Sequence, residues 1–316
     1  MHINRAICDS GRAPVAVAAG WPRHAFTLVE LMVVIVIIGI LASLTLAGLS
    51  GVRQRAKIEK TKSTIRKIDA VIQPMYESYL TRRVPASGGN PRDFALSRLQ
   101  NIRLLMAMEM PDNWDDAIAL LPPADRWLLT PGPNRYRQIA QTLSASNSDF
   151  RTRYGGAECL FLTLAFGGYD PWAIENFRND EMGDIDSDGA LEFWDGWGRP
   201  ISFIRWPVGF VSIVQPSPSS ALDPFDPQRA STTGGNPPDA ALVPLVFSPG
   251  PDEALNDPLT GSNGYGLVQG PSVIQPALAD RAFLTSLLRN LRPRPGSATD
   301  EAAARDNITN HDLLKK

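Results

Sequence analysis

Asp184, Asp186 and Asp188 stand at alternating positions and are followed by Gly189, Ala190, Glu192 and Asp195. Carboxylates at positions 1, 3 and 5 of a loop offer hard oxygen donors, the set that suits calcium. Gly189 at position 6 permits the sharp turn, and Ala190 at position 7 supplies a backbone carbonyl. Glu192 at position 9 acts directly or through water, and Asp195 closes the set at position 12 with a side chain shorter than the usual bidentate Glu. A solvated, Asp-rich surface turn is the competing reading. Acid–base catalysis by a carboxylate pair is a third, but no second reactive group accompanies these residues.

The rest of the composition narrows the chemistry further. The 316 residues include three histidines, His2, His24 and His311, and two cysteines, Cys8 and Cys159. Triad, Cys-His and His-rich zinc chemistry therefore have little to work with. Cys159 reads as a small buried apolar residue. A net charge of −2 argues against a nucleic-acid partner.

One more carboxylate is out of place. Glu30 heads the run FTLVELMVVIVIIGILASLTLAGL at residues 26–49, whose last 19 residues, from Leu31, carry no charge and no proline. As a helix those residues reach about 28 Å, enough to span a bilayer core. A carboxylate at such a place is expensive and marks function, or else it favours the helix N-terminus electrostatically. Arg5, Arg12 and Arg23 precede the run and favour a cytoplasmic N-terminus. A secretory signal, cut near Thr45-Leu46-Ala47, is one reading. An ordinary anchor is a second.

Arg23-His24-Ala25 followed by Phe26-Thr27-Leu28-Val29-Glu30 and an unbroken apolar helix resembles a type IV prepilin N-terminus, shared by type IV pilins and the pseudopilins of type II secretion. The resemblance implies a leader over 1–25, cleavage between Ala25 and Phe26 by a prepilin peptidase, and N-methylation of Phe26. Ala25 stands where glycine is usual. Glu30 becomes the fifth mature residue, and its expected partner is the Phe26 amine of a neighbouring subunit, a pairing that fixes axial register.

The elements that must position these residues follow from patterning. Val52, Ile58, Ile65, Ile68, Ile72, Met75 and Tyr79 make one helical stripe, so the helix is expected to run over 26–83, with 26–49 in the membrane and a kink at Pro74. Nine basic residues against three acidic ones between Arg53 and Arg83 read as a solvated face. Residues 84–180 open on a Pro/Gly-rich break and read as a helical insertion punctuated by prolines. Residues 181–270 hold the strands. A hairpin of Ile201–Trp206 and Gly209–Val214 about a Pro-Val-Gly turn is expected, then a loop over Gln215–Ala241 and a strand at Val243–Phe247. Residues 271–316 read as a helix from Asp280 to Leu291 and a polar tail. The fold class is α+β: a long N-terminal helix packed on a small antiparallel sheet, with an extra helical insertion.

Two later motifs add to the resemblance. Asp195-Gly196-Trp197-Gly198-Arg199-Pro200 is similar to the Asp-x-Trp-Gly-x-Pro signature of major pseudopilins, and Ser248-Pro249-Gly250-Pro251-Asp252 to their Ser-x-Gly-x-Asp turn. In that family a C-terminal loop of this kind holds calcium, which places Asp252 and Asp257 as ligands; a solvated turn is the alternative. The 184–195 loop itself resembles an EF-hand, nearer to its dockerin-like form.

Together these features imply a non-enzymatic, pilin-like subunit. It would sit in the inner membrane by one span with its C-terminal part in the periplasm, and then enter a periplasmic or surface filament. Its implied partners are the prepilin peptidase, other pilin-like subunits and an inner-membrane assembly platform, with calcium as cofactor. A type IV or minor pilin is the near alternative. A secreted or anchored calcium-dependent binding protein is the distant one, and an enzyme hidden in 84–180 the third.

Overall fold

A computed structural model describes residues 26–146, 154–216, 222–232, 241–251, 267, 271–280, 294–298 and 304–314. The leader with Ala25, the turn residues Asp252 and Asp257, and most of the helix expected from Asp280 to Leu291 lie outside these residues. The chain divides into two units, Met1–Val52 and Arg53–Lys316.

Helix α1, Leu28–Ser78, is the longest element and carries Pro74 inside it. Helix α2 is Pro91–Glu109, α3 Trp114–Ala117, α4 Pro131–Ser146 and α5 Gly155–Phe166, with short 3-10 turns at Pro123–Leu128 and Ala173–Asn176. Asn90 caps α2 by accepting from the Asp93 amide at 2.9 Å, and Pro91 follows it at the first helical position, where a missing N–H does no harm. Strands β1 (Met182–Gly183) and β2 (Glu192–Phe193) form one antiparallel pair. A second sheet has the order β3-β4-β5, from Ser202–Ile204, Leu245–Ser248 and Ile308–Thr309. Helices α6 (Ile274–Ala279) and α7 (Asn310–Leu313) complete the described elements, and the class is α+β.

In the second unit one apolar core holds the α1 stripe together with the insertion and the sheet. Ile65, Ile68, Ile72, Met75 and Tyr79 are buried beside Leu99 and Ile102 of α2, Phe161 of α5, Phe193, Phe203 and Val246. Phe193 sits between Phe161 and Phe177, with ring centroids 5.2 and 4.5 Å away. The stripe begins later than its spacing suggests, because Val52 is exposed and Ile58 only half-buried. The helix also ends at Ser78, five residues short of Arg83. Past it the backbone tightens into turns in which the amides of Tyr79, Leu80, Thr81 and Arg82 donate three residues back, and Arg82 then pairs with Glu109 at 2.6 Å.

The expected 201–214 hairpin does not form. Strand β3 pairs instead with β4, Phe203 opposite Val246, and β4 pairs on its other side with β5, Phe247 opposite Thr309. Gln215 and the Pro295 carbonyl, which accepts from the Gly209 amide at 2.8 Å, hold this stretch as a loop. The Gln215 side-chain amide donates to the carbonyls of Pro207 (2.7 Å) and Phe210 (2.9 Å) and so uses acceptors a second strand would need. Val211 and Ile213 are left exposed. The strand expected at Val243–Phe247 is present as β4.

Polar pins set the sheet on its supports. Asn310 donates to Asp69 of α1 at 2.7 Å and accepts from the Val246 amide at 2.9 Å. Lys67 of α1 meets Glu181, next to β1, at 2.7 Å, and the Glu181 carboxylate also accepts from Thr64. His311 is buried between Ser212 Oγ and the Val243 carbonyl, and burial lowers its pKa. Cys159 is buried and free, as its type suggests.

The Asp195–Pro200 turn lies directly on α1. Asp195 Oδ1 accepts from the Trp197 and Arg199 amides at 2.7 and 2.9 Å, and Gly198 takes the left-handed φ of +79° that the turn needs. Gly196 serves differently. Its N–H donates to Thr61 Oγ1 at 2.8 Å, and a Cβ there would strike the Lys57 backbone. Gly196→Ala should therefore lower stability by about 1–3 kcal/mol, the usual penalty for overpacking. Chemical denaturation would show it, and an unchanged midpoint would mean the turn is free to lift.

Candidate functional site

At the chain's membrane end, Thr27 precedes α1 and Glu30 stands three residues on. The Thr27 amide and hydroxyl donate to Glu30 Oε2 at 2.9 and 3.0 Å, while the Glu30 amide donates to Thr27 Oγ1 at 3.2 Å. This reciprocal arrangement is a capping box. The Thr-x-x-Glu spacing was its signal in the sequence, beyond the dipole argument. Both bonds to the carboxylate fall on Oε2, which leaves Oε1 for another group. Phe26 and every residue from 27 to 45 are exposed, so the apolar surface of this segment lacks cover from the described residues. The helix is long and apolar enough to cross a membrane once.

At the acidic loop, β1 and β2 close residues 184–191 into a tight connection, with Gly183 opposite Glu192. Asp184 shapes the turn, accepting from the amides of Asp188 (3.2 Å) and Gly189 (2.9 Å). Asp188 Oδ1 accepts from the Ala190 amide at 2.8 Å. Gly189 has φ +97°, a conformation glycine adopts without strain, and Ser187 also takes a positive φ of 62°.

Asp184, Asp186 and Asp188 each bring a carboxylate oxygen within 4.8 Å of the others. Asp186 also joins a second group with Glu192 and Glu158 under the same limit. Glu158, from α5, was not among the residues the sequence singled out. Its signal was present: it is the lone charged residue of the helix GGAECLFLTLAF.

The inner group is the more buried. Glu158 and Glu192 are 1% and 0% exposed. Glu158 Oε2 accepts from Trp114 Nε1, and Glu192 Oε2 from the Ile185 amide at 3.1 Å. Their other oxygens, both named Oε1, are buried and have no hydrogen-bond partner among the described residues. Burial pushes the carboxyl of Glu158 up to about 10, that of Glu192 up to about 8 and that of Asp188 up to about 6, with the neighbouring carboxylates adding to each shift. Glu158 also lines a cavity of about 130 Å³ with Trp114, Leu143, Phe161, Gly189 and Leu191.

Asp195 is not brought to either group. Besides its two turn amides it accepts from Ser248 Oγ at 2.7 Å, so its carboxylate ties the turn to β4. Burial raises its pKa despite these bonds. Ala190 lies in the loop, where its amide donates to Asp188 Oδ1.

Comparison with known proteins agrees with the helix head. Residues 22–46 match the prokaryotic N-terminal methylation motif, so the chain carries a prepilin-type N-terminus. A stretch of 59 residues, 19% of this chain, is 41% identical to type II secretion system core protein G of Pectobacterium carotovorum subsp. carotovorum. It covers 37% of that protein, so the chain spans little more than a third of the length of the curated relative it matches. No solved structure matches the chain.

Proposed function

We propose that this chain is a pilin-like structural subunit, a pseudopilin of a type II-like secretion system. The observation that carries the reading is the methylation motif at 22–46 heading an apolar helix whose side chains from 28 to 45 are exposed. The chain is made as a precursor and anchored once in the inner membrane with its second unit on the periplasmic side. A prepilin peptidase cuts after Ala25, Phe26 is methylated, and an inner-membrane platform feeds the subunit into a periplasmic filament with other pilin-like chains. Its work is mechanical, not enzymatic.

Within a filament core the helices bury one another. Glu30 then needs a counter-charge, which the Phe26 amine of the next subunit supplies, since methylation leaves an amine cationic. Removing one member of a buried pair strands the other. Glu30→Leu should therefore insert normally but yield few cross-linked filament ladders. Glu30→Gln keeps the capping geometry and removes only the charge, and it should fail similarly. Wild-type ladders from Glu30→Gln would show that capping alone is required and would overturn the pairing.

A further inference from the structure

We propose that Glu158, Asp186 and Glu192 together hold one divalent cation of the calcium class, seated between α5, β2 and the 184–191 loop. The site does not depend on the filament reading. Two separate observations converge on it. The three carboxylates each present an oxygen within 4.8 Å of the others, which is about twice the 2.4 Å at which calcium meets its oxygen ligands. Independently, Glu158 and Glu192 are almost wholly buried, and each has one oxygen without a hydrogen-bond partner among the described residues. Such groups are rare in folded chains and call for a ligand.

The all-oxygen donor set selects a hard cation over zinc or copper, which favour nitrogen or sulfur. Partners outside the ligand set fix the donors, as metal sites require. Trp114 Nε1 holds Glu158 Oε2, and the Ile185 amide holds Glu192 Oε2, so each Oε1 is left to the ion. Asp184, with both oxygens bonded to loop amides, shapes the turn and lies outside this group of three. The site thus uses part of the loop's acidic pattern and adds a helix residue 28 positions before Asp186.

The test uses the full-length protein in detergent, with calcium or terbium alone as the probe. Calcium should raise the melting temperature over chelator. Terbium should give calcium-displaceable luminescence on tryptophan excitation, because Trp114 touches a ligand. Glu158→Gln should weaken calcium binding by about tenfold or more. Its chelated form should melt no lower than wild type, since a buried carboxyl crowded by other carboxylates becomes a neutral amide; a merely structural Glu158 would give the opposite result. Glu192→Gln serves as the second variant. The proposal is overturned if wild type shows neither a melting shift nor terbium emission. It is equally overturned if both Gln variants bind calcium as wild type does while Asp184→Asn abolishes binding, which would place the ion among the three aspartates.

Discussion

Arg205→Ala is expected to destabilise the 53–316 unit by about 3–5 kcal/mol, the range seen when one partner of a buried ion pair is removed. Arg205 is fully buried, and its Nη2 lies 3.2 Å from Asp116 Oδ2 and 3.3 Å from Asp112 Oδ1. Nη1 donates to the Met110 carbonyl at 2.6 Å, and the guanidinium stacks over Trp206. Asp116 in turn accepts at Oδ1 from Ser272 Oγ and from the Val273 and Ile274 amides at 2.8, 2.9 and 3.0 Å. One cation therefore joins β3 to α2, α3 and α6. Removing it leaves two buried carboxylates facing each other.

The pH dependence of that loss has a definite sign. Burial already raises Asp116 above its ordinary value, with Arg205 opposing the rise. Without Arg205 the folded-state pKa climbs further above the unfolded one. The protonated form is then the tolerated one, and stability falls as pH rises through the folded pKa. The deficit of Arg205→Ala should accordingly be larger at neutral pH than in mild acid. Denaturant titrations at two pH values would measure it; a loss below about 1 kcal/mol would mean that repacking replaces the ion pair.

The other large effect concerns processing. On the proposed processing, a peptidase that reads small-residue geometry beside the cut should reject Ala25→Leu, which should remain as full-length precursor in the membrane. Immunoblots should show one band at precursor mobility. Since the uncut leader blocks formation of the Phe26 amine, this variant should also lack filament ladders, as Glu30→Leu does, but with a longer chain. Mature-length protein from Ala25→Leu would remove the peptidase from the account.

What the sequence made legible was local. The α1 stripe from Ile65 to Tyr79 repeats at helical spacing within one element, and β3 and β4 are short apolar runs between breakers. The misread hairpin shows the limit. Gly209–Val214 has strand-like residues, but the Gln215 side chain and the Pro295 carbonyl, which accepts from the Gly209 amide, hold it as a loop. Strands β1, β2 and β5 have two residues each, too few for a period, and β5 meets β4 across some sixty residues of chain. The acidic loop was visible as a pattern of aspartates. Its deepest carboxylate, Glu158, comes from a helix that no spacing rule connects to the loop. Asp195 fitted the ligand pattern by count, yet it serves the Asp-Gly-Trp-Gly turn that overlaps it.

Mass spectrometry of the mature N-terminal peptide tests the central claim most directly. A pilin-like subunit predicts a chain that begins at Phe26 and carries an N-methyl group on that residue. A chain that begins near Gly48, as after a secretory signal cut, or one that retains residues 1–25, would contradict it.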